Sequence, residues 1–110
     1  MGSEWGYRLT KKAEADLDGI VRYISVELAN PQAASDFVDK LQAAIEEARS
    51  FPESGPPVSN EYLPVEGVRK KLVGSYILFY LPDHREKMIL VLRLVYGKRS
   101  MDEILRQIGR

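Results

Sequence analysis

Residues 68–96 read VRKKLVGSYILFYLPDHREKMILVLRLVY, and this stretch decides the fold. Three strand-like runs are separated by two short breaks. Gly74-Ser75 is a two-residue turn with glycine first, and Pro82-Asp83-His84-Arg85 makes the second turn. Connections this short force antiparallel pairing, because a parallel crossover needs a dozen or more residues. Segments 76–81 and 88–95 are apolar on both faces, which predicts central strands covered on both sides. Upstream, "GYRLT" is a further short β-like segment at residues 6–10.

The covering layer lies N-terminal to the strands. Thr10 offers a hydroxyl to a free amide of a first helical turn. Ala13, Leu17, Ile20, Val21, Ile24 and Leu28 then recur at helical spacing to about residue 29. Asn30-Pro31 restarts a helix, with Asn as N-cap and Pro at the first helical position. Phe37, Val38, Leu41, Ala44, Ile45 and Ala48 mark its apolar stripe, and it stops before Pro52. With almost no linker between them, the two helices form an antiparallel hairpin. "FPESGPPVSNEYLP" (51–64) is a loop, and "SMDEILRQI" (100–108) is a short helix able to cover the other sheet face. The expected fold is α+β: a helical hairpin on a twisted antiparallel sheet, with a short C-terminal helix.

At 110 residues and 45% hydrophobic content the chain supports one core, and we expect a single domain over 1–110. Met1-Gly2-Ser3 reads as a vector scar and carries no weight. Cysteine is absent, which excludes disulfide stapling and thiolate chemistry. No apolar run is long enough to span a bilayer, and the expected location is the cytoplasm. The formal charge is zero, yet it is unevenly placed. Through Gly67 there are 6 Lys/Arg against 12 Asp/Glu; from Val68 there are 10 against 4. That polarity suggests a basic working surface on the C-terminal half.

His84, the only histidine, reads as a solvated turn residue, and no metal-ligand spacing exists around it. No metal or cofactor is expected. Glu14, Asp16, Asp18, Asp39, Glu46 and Glu47 read as solvated helix faces. Ser75 and Ser100 have no evident base partner. The cations carry more information. Arg69 and Lys71 share one face of their strand and Lys70 takes the other, a pattern that also guards an edge strand against aggregation. By alternation Arg93 shares a face with Ile89, Val91 and Val95. An unpaired buried guanidinium costs several kcal/mol, on the order of 3–5, so Arg93 must be paired or face a groove open to water. Lys98 and Arg99 follow at the strand exit, giving a rim suited to phosphate or carboxylate. Tyr96 either stacks on a base or completes the core.

Several segments, in order, resemble the RelE/ParE superfamily of bacterial type II toxins. They are "YRLTKKAEADLDGIVRYIS", "FVDKLQAAIEEARSFPESGPP", "VRKKLVGSYILFY" and "ILVLRLVYGKRS". The resemblance spans nearly the whole chain and implies a toxin neutralised by a cognate antitoxin in a hetero-oligomer. Such antitoxins typically wrap the toxin with an amphipathic helix and an added strand. Members of the RelE-like branch are ribosome-dependent mRNA endonucleases; ParE-like members poison DNA gyrase. Arg99 in "GKRS" matches a RelE-type arginine, but Ile77 and Leu105 stand where that branch has an arginine and a tyrosine. The ParE-like pattern is closer, with Tyr96 replacing a histidine and Ser100 an aspartate. Resemblance therefore implies a gyrase-binding toxin of a plasmid-stabilisation module, with Arg69, Lys71, Arg93, Lys98 and Arg99 as target contacts. The alternative is a metal-independent nuclease acting on ribosome-bound mRNA, with Arg93 and Arg99 on phosphate and Tyr96 or Lys71 moving protons. A third reading is a degenerate member that only binds antitoxin.

Overall fold

The structure, a computed structural model, describes residues 4–58, 66–98, 105, 106 and 108. Strand β1 (Gly6–Leu9) leads through Thr10 into helix α1 (Lys11–Arg22), which widens into a π-helical turn at Tyr23–Glu27. Helix α2 (Pro31–Ser50) follows, then β2 (Arg69–Val73), β3 (Tyr76–Asp83) and β4 (Met88–Tyr96). Both helix starts form as their sequences dictate. Thr10 Oγ1 accepts from the Ala13 amide at 3.1 Å, and the Asn30 side chain accepts from Ala33 at 3.0 Å, with Pro31 opening α2.

Strands order as β1-β4-β3-β2. β2–β3 and β3–β4 pair antiparallel as expected, and the Gly74-Ser75 turn holds Gly74 at φ 60°, a left-handed conformation that glycine adopts at no steric cost. The sheet is nevertheless mixed, because β1 pairs in parallel with β4, Gly6 beside Met88 through Leu9 beside Val91. The intervening hairpin and two strands provide the long crossover that a parallel pair requires.

One apolar cluster lies between helices and sheet. Ala13, Ile20, Phe37, Leu41, Ile45 and Ala48 meet Val73, Leu78, Tyr80, Ile89, Val91 and Leu94. A second lies on the opposite face, where Val68, Ile77, Phe79 and Val95 pack with Leu105, flanked by Leu81, Leu92 and Ile108. Leu105, Arg106 and Ile108 are helical; the rest of the expected C-terminal helix falls outside the described residues.

Three local expectations change. The first helix does not run regularly to residue 29: Leu28 N–H bonds Tyr23 O at 3.0 Å, a π-type closure, and Ala29 then takes φ 48° to reverse the chain. Consequently Leu28 is exposed, as is Val38 of α2. The second strand turn comes later than expected, at residues 84–87, with Pro82 and Asp83 still in β3.

Beyond α2 the chain folds back against the sheet through one buried phenol. Tyr80 donates to Pro52 O at 3.0 Å and accepts from Gly55 N at 2.9 Å. A Cβ on Gly55 would lie 2.3 Å from Lys70 O, so the backbones touch only because that residue is glycine. Residues 56–58 then pair with the start of β2: Val58 donates to Val68 O at 2.7 Å, and Lys70 to Pro56 O at 3.2 Å. Tyr80→Phe should leave both loop partners unsatisfied and lower the urea-unfolding free energy by about 2 kcal/mol. An unchanged midpoint would show that the phenol does not hold the loop.

Candidate functional site

The expected site centres on the last strand. β1 ends at Leu9, so beyond Val91 the outer edge of β4 loses its strand partner. Side chains and backbone at the start of α1 take over. Thr10 N–H donates to Val91 O at 3.0 Å, and Thr10 Oγ1 donates to Leu92 O at 2.9 Å. One and a half turns on, Asp16 Oδ2 accepts from the Leu94 amide at 3.0 Å. The same carboxylate grips Arg93: Nε to Oδ2 at 2.6 Å and Nη2 to Oδ1 at 3.1 Å. This is a two-pronged ion pair, with side-chain exposures of 14% for Arg93 and 17% for Asp16.

Two expectations are thereby corrected. Asp16 is not part of a solvated helix face. Arg93 is paired within the molecule, which was one of the two environments open to it, and is not a free rim cation. Its strand face also differs from simple alternation. Tyr80 pairs with Val91 and Phe79 with Arg93, leaving Leu92 as an extra residue in a β-bulge. Ile89 and Val91 therefore face the helices, whereas Val95 faces the other side.

Arg69 and Lys71 do not converge with Arg93. Arg69 Nη1 donates to the carbonyls of Glu53 and Gly55, at 3.1 and 2.7 Å, and so braces the loop after α2. Lys71 Nζ pairs with Glu47 of α2, and the lysine side chain is only 8% exposed. Both lie on β2, separated from β4 by β3. Lys98 is exposed beyond the end of β4. Arg99 lies outside the described residues. Lys40, Glu47, Lys70, Lys71 and Leu72 border a hollow of 520 Å³ at the outer edge of β2, where Leu72 is 78% exposed.

Tyr96 takes a place between its two expectations. Its ring is partly exposed and meets Tyr76 edge-on at 5.6 Å; Tyr76 in turn meets Phe37 at 5.2 Å. Tyr23, Tyr76 and Tyr96 line a 590 Å³ hollow with Ile24, Leu28 and Ala33. The same tyrosines border an adjoining 320 Å³ hollow that reaches Asp16, Gly19 and Arg93. Arg93 and Tyr96 thus share one recess, while Lys71 lies elsewhere. Burial, with Tyr23 and Tyr96 alongside, pushes the Tyr76 phenol above its ordinary value. Sequence reasoning missed Tyr23 and Tyr76. Tyr23 stands off the helical stripe, and Tyr76 reads as an ordinary strand residue.

The sheet face away from the helices is apolar. Ile77, Phe79 and Val95 are buried there, and Leu105 sits among them at 1% exposure. Both positions at which the nuclease pattern has polar residues, Ile77 and Leu105, belong to this one cluster.

Residues 7–101 match the family described as ParE toxin of type II toxin-antitoxin system, parDE. The chain is 38% identical over 94 residues to Toxin ParE1 of Caulobacter vibrioides, covering 86% of this chain and 94% of the relative. Among solved structures, a chain of the chromosomal ParDE toxin–antitoxin system from P. aeruginosa superposes with a TM-score of 0.66 at 24% identity. It covers 86% of this chain and 97% of that one. A chain of the RelBE2 toxin–antitoxin complex from Mycobacterium tuberculosis gives a TM-score of 0.59 at 20% identity, with 84% and 96% covered. Both superpositions concern the fold.

Replacing the Asp16 carboxylate by an amide removes its charge and one of its two acceptor oxygens, so the Arg93 guanidinium and the Leu94 amide are left to compete for the other. Asp16→Asn should cost roughly 3 kcal/mol in denaturant unfolding. Asp16→Asn and Arg93→Met together should cost less than the sum of the two single changes, because the second removes the stranded charge. Strict additivity would mean the pair is not coupled.

Proposed function

The chain belongs to the ParE toxin family of type II toxin–antitoxin systems, and from that premise we propose that it arrests growth by binding DNA gyrase. A cognate antitoxin neutralises it in a hetero-oligomeric complex, as part of a plasmid-stabilisation module in the cytoplasm.

The observation that carries the reading is the apolar sheet face. Cleavage of RNA through its 2′-hydroxyl needs a proton acceptor, a proton donor and cations around the phosphate. Ile77, Phe79, Val95 and Leu105 offer none of these, and they are packed against one another. Arg93, the cation nearest the expected centre, already holds two hydrogen bonds to Asp16. Lys71 is held by Glu47 on the far edge. These arrangements favour a toxin that acts by recognition over one that performs chemistry on a nucleic acid.

Target recognition then rests on what remains outward-facing. Lys98 extends beyond β4, and we assign it and Arg99 to gyrase contact. Arg69 and Lys71 contribute by shaping the β2 edge, and Arg93 by fixing α1 against β4. Antitoxin docking suits the exposed part of the same edge, where Leu72 projects and the loop pairing stops at Lys70.

A supercoiling reaction with purified gyrase and relaxed plasmid tests the proposal. The toxin should block supercoiling or trap cleaved DNA, and Lys98→Ala combined with Arg99→Ala should weaken that effect at least tenfold, about 1.4 kcal/mol. Full gyrase activity at saturating toxin, with codon-positioned mRNA cuts in a translating extract, would replace this reading with the nuclease one.

A further inference from the structure

The outer edge of β2 is covered for part of its length by the chain itself, and that cover shows what the rest of the edge can take. Residues 56–58 lie against the start of the strand, with Pro57 opposite Arg69 in an antiparallel bridge. Val58 N–H donates to Val68 O at 2.7 Å and Lys70 N–H donates to Pro56 O at 3.2 Å, so Val68 and Lys70 turn backbone groups outward. By the alternation of an antiparallel ladder, Leu72 is the next residue to present its N–H and C=O on that side. Among the described residues nothing continues the row beside it. Before Pro56 the chain leaves the edge, where Gly55 N–H is drawn to the Tyr80 hydroxyl at 2.9 Å. The Leu72 side chain is 78% exposed. A strand edge in this condition is a template for a further extended segment.

The charge around the vacant stretch selects the segment. The 520 Å³ hollow here is bordered by Gly55, where the chain leaves the edge, and by Gly74, where β2 turns. Its charged lining residues are Lys40 and Glu47 of α2 with Lys70 and Lys71 of β2, three lysines against one carboxylate. Glu47 is engaged by Lys71. Lys40 and Lys70 have no ion-pair partner among the described residues. A second copy pairing edge to edge would bring Lys70 and Lys71 against their own images, the arrangement by which lysines keep strand edges apart. A phosphodiester would meet the lysines, but it brings no donor to Leu72 C=O and no apolar surface to the leucine side chain. An extended peptide bearing carboxylates meets all of these groups at once.

We propose that the open end of the β2 edge receives an extended acidic segment of the antitoxin, paired through the backbone of Leu72 and held by Lys40 and Lys70. This inference rests on the reading that an antitoxin binds the chain at this edge, and it adds the backbone anchor and the charge of the segment. The residue opposite Leu72 is apolar, since it shares a face with the exposed leucine, and its neighbours carry the carboxylates. Leu72 is the one residue of β2 beyond Lys70 that turns both backbone groups outward, so the ladder added there is short. Ionic contacts therefore supply much of the affinity, and salt weakens it.

The direct test uses acetyl-Glu-Val-Glu-Val-Glu amide as probe and the backbone amide resonances of the full chain as readout. The Leu72 amide should shift and saturate, the response should fall as salt is raised, and Lys40→Glu combined with Lys70→Glu should weaken it about tenfold. N-methylation of both valines removes two backbone donors and should abolish the Leu72 shift. Acetyl-Lys-Val-Lys-Val-Lys amide and oligothymidylate serve as rival probes. Equal or stronger response to either overturns the assignment, as does silence of Leu72 with the acidic peptide or indifference to N-methylation. In cells, the double lysine variant should still arrest growth but should require more antitoxin for rescue. Loss of arrest in that variant would assign the edge to the poisoned target and overturn the proposal. If the wild-type chain itself causes no arrest, the toxin reading fails, and the resonance titration still decides whether the edge takes an acidic strand.

Discussion

The fold turns on how the outer edge of β4 is satisfied after β1 stops. Four residues of β1 cover only the first part of a strand that runs from Met88 to Tyr96. Beyond Val91 an open edge would present unpaired backbone groups beside the core. Thr10 and Asp16 of the following helix supply the missing partners, one through backbone and hydroxyl, the other through a carboxylate on Leu94 N. Because that carboxylate also clamps Arg93, the bonds that complete the sheet edge also set where α1 lies. A helix fixed in this way carries Tyr23 to the end of β4, and with it one wall of the hollow opposite Tyr96.

The β-bulge at Leu92 belongs to the same arrangement. An extra residue between Val91 and Arg93 changes which face each later side chain occupies. Leu94 then remains with the helix-side core, Val95 joins the opposite cluster, and Arg93 is placed where Asp16 reaches it. Without the bulge, strict alternation would put Arg93 among Ile89 and Val91, whose neighbours are apolar. The irregularity is therefore the means by which a strand with two covered faces accommodates a guanidinium.

Much of this was legible before coordinates. The caps at Thr10 and Asn30, the glycine-first turn and the three antiparallel strands each follow from local chemistry that few other residues could supply. The parallel β1 was not legible, because four residues of weak alternation carry no statement of their partner. Asp16 was misread as solvated, although a signal existed. It lies three residues after Ala13 and four before Ile20, on the stripe those residues define, and Arg93 needed either an acidic partner or a groove open to water. The two facts become one only when α1 is placed over β4. Arg69 was opaque for another reason: its partners are carbonyl oxygens of Glu53 and Gly55, which no side-chain pattern records.

The distribution of charge argues for recognition through shape and aromatic surface as much as through cations. The C-terminal half holds the excess of Lys and Arg, yet Arg69, Lys71 and Arg93 are each engaged by the first half of the chain through carbonyls or a carboxylate. Opposite charge in the two halves of the sequence thus serves partly to join helices to sheet. Arg69 and Lys71 stand on β2 and Arg93 on β4, with β3 between them. Among the described residues, the arrangement leaves outward a partly open strand edge with a projecting leucine, a ring-lined hollow and Lys98 beyond β4. Surfaces of these kinds give affinity by complementarity, and none of them requires a reacting group.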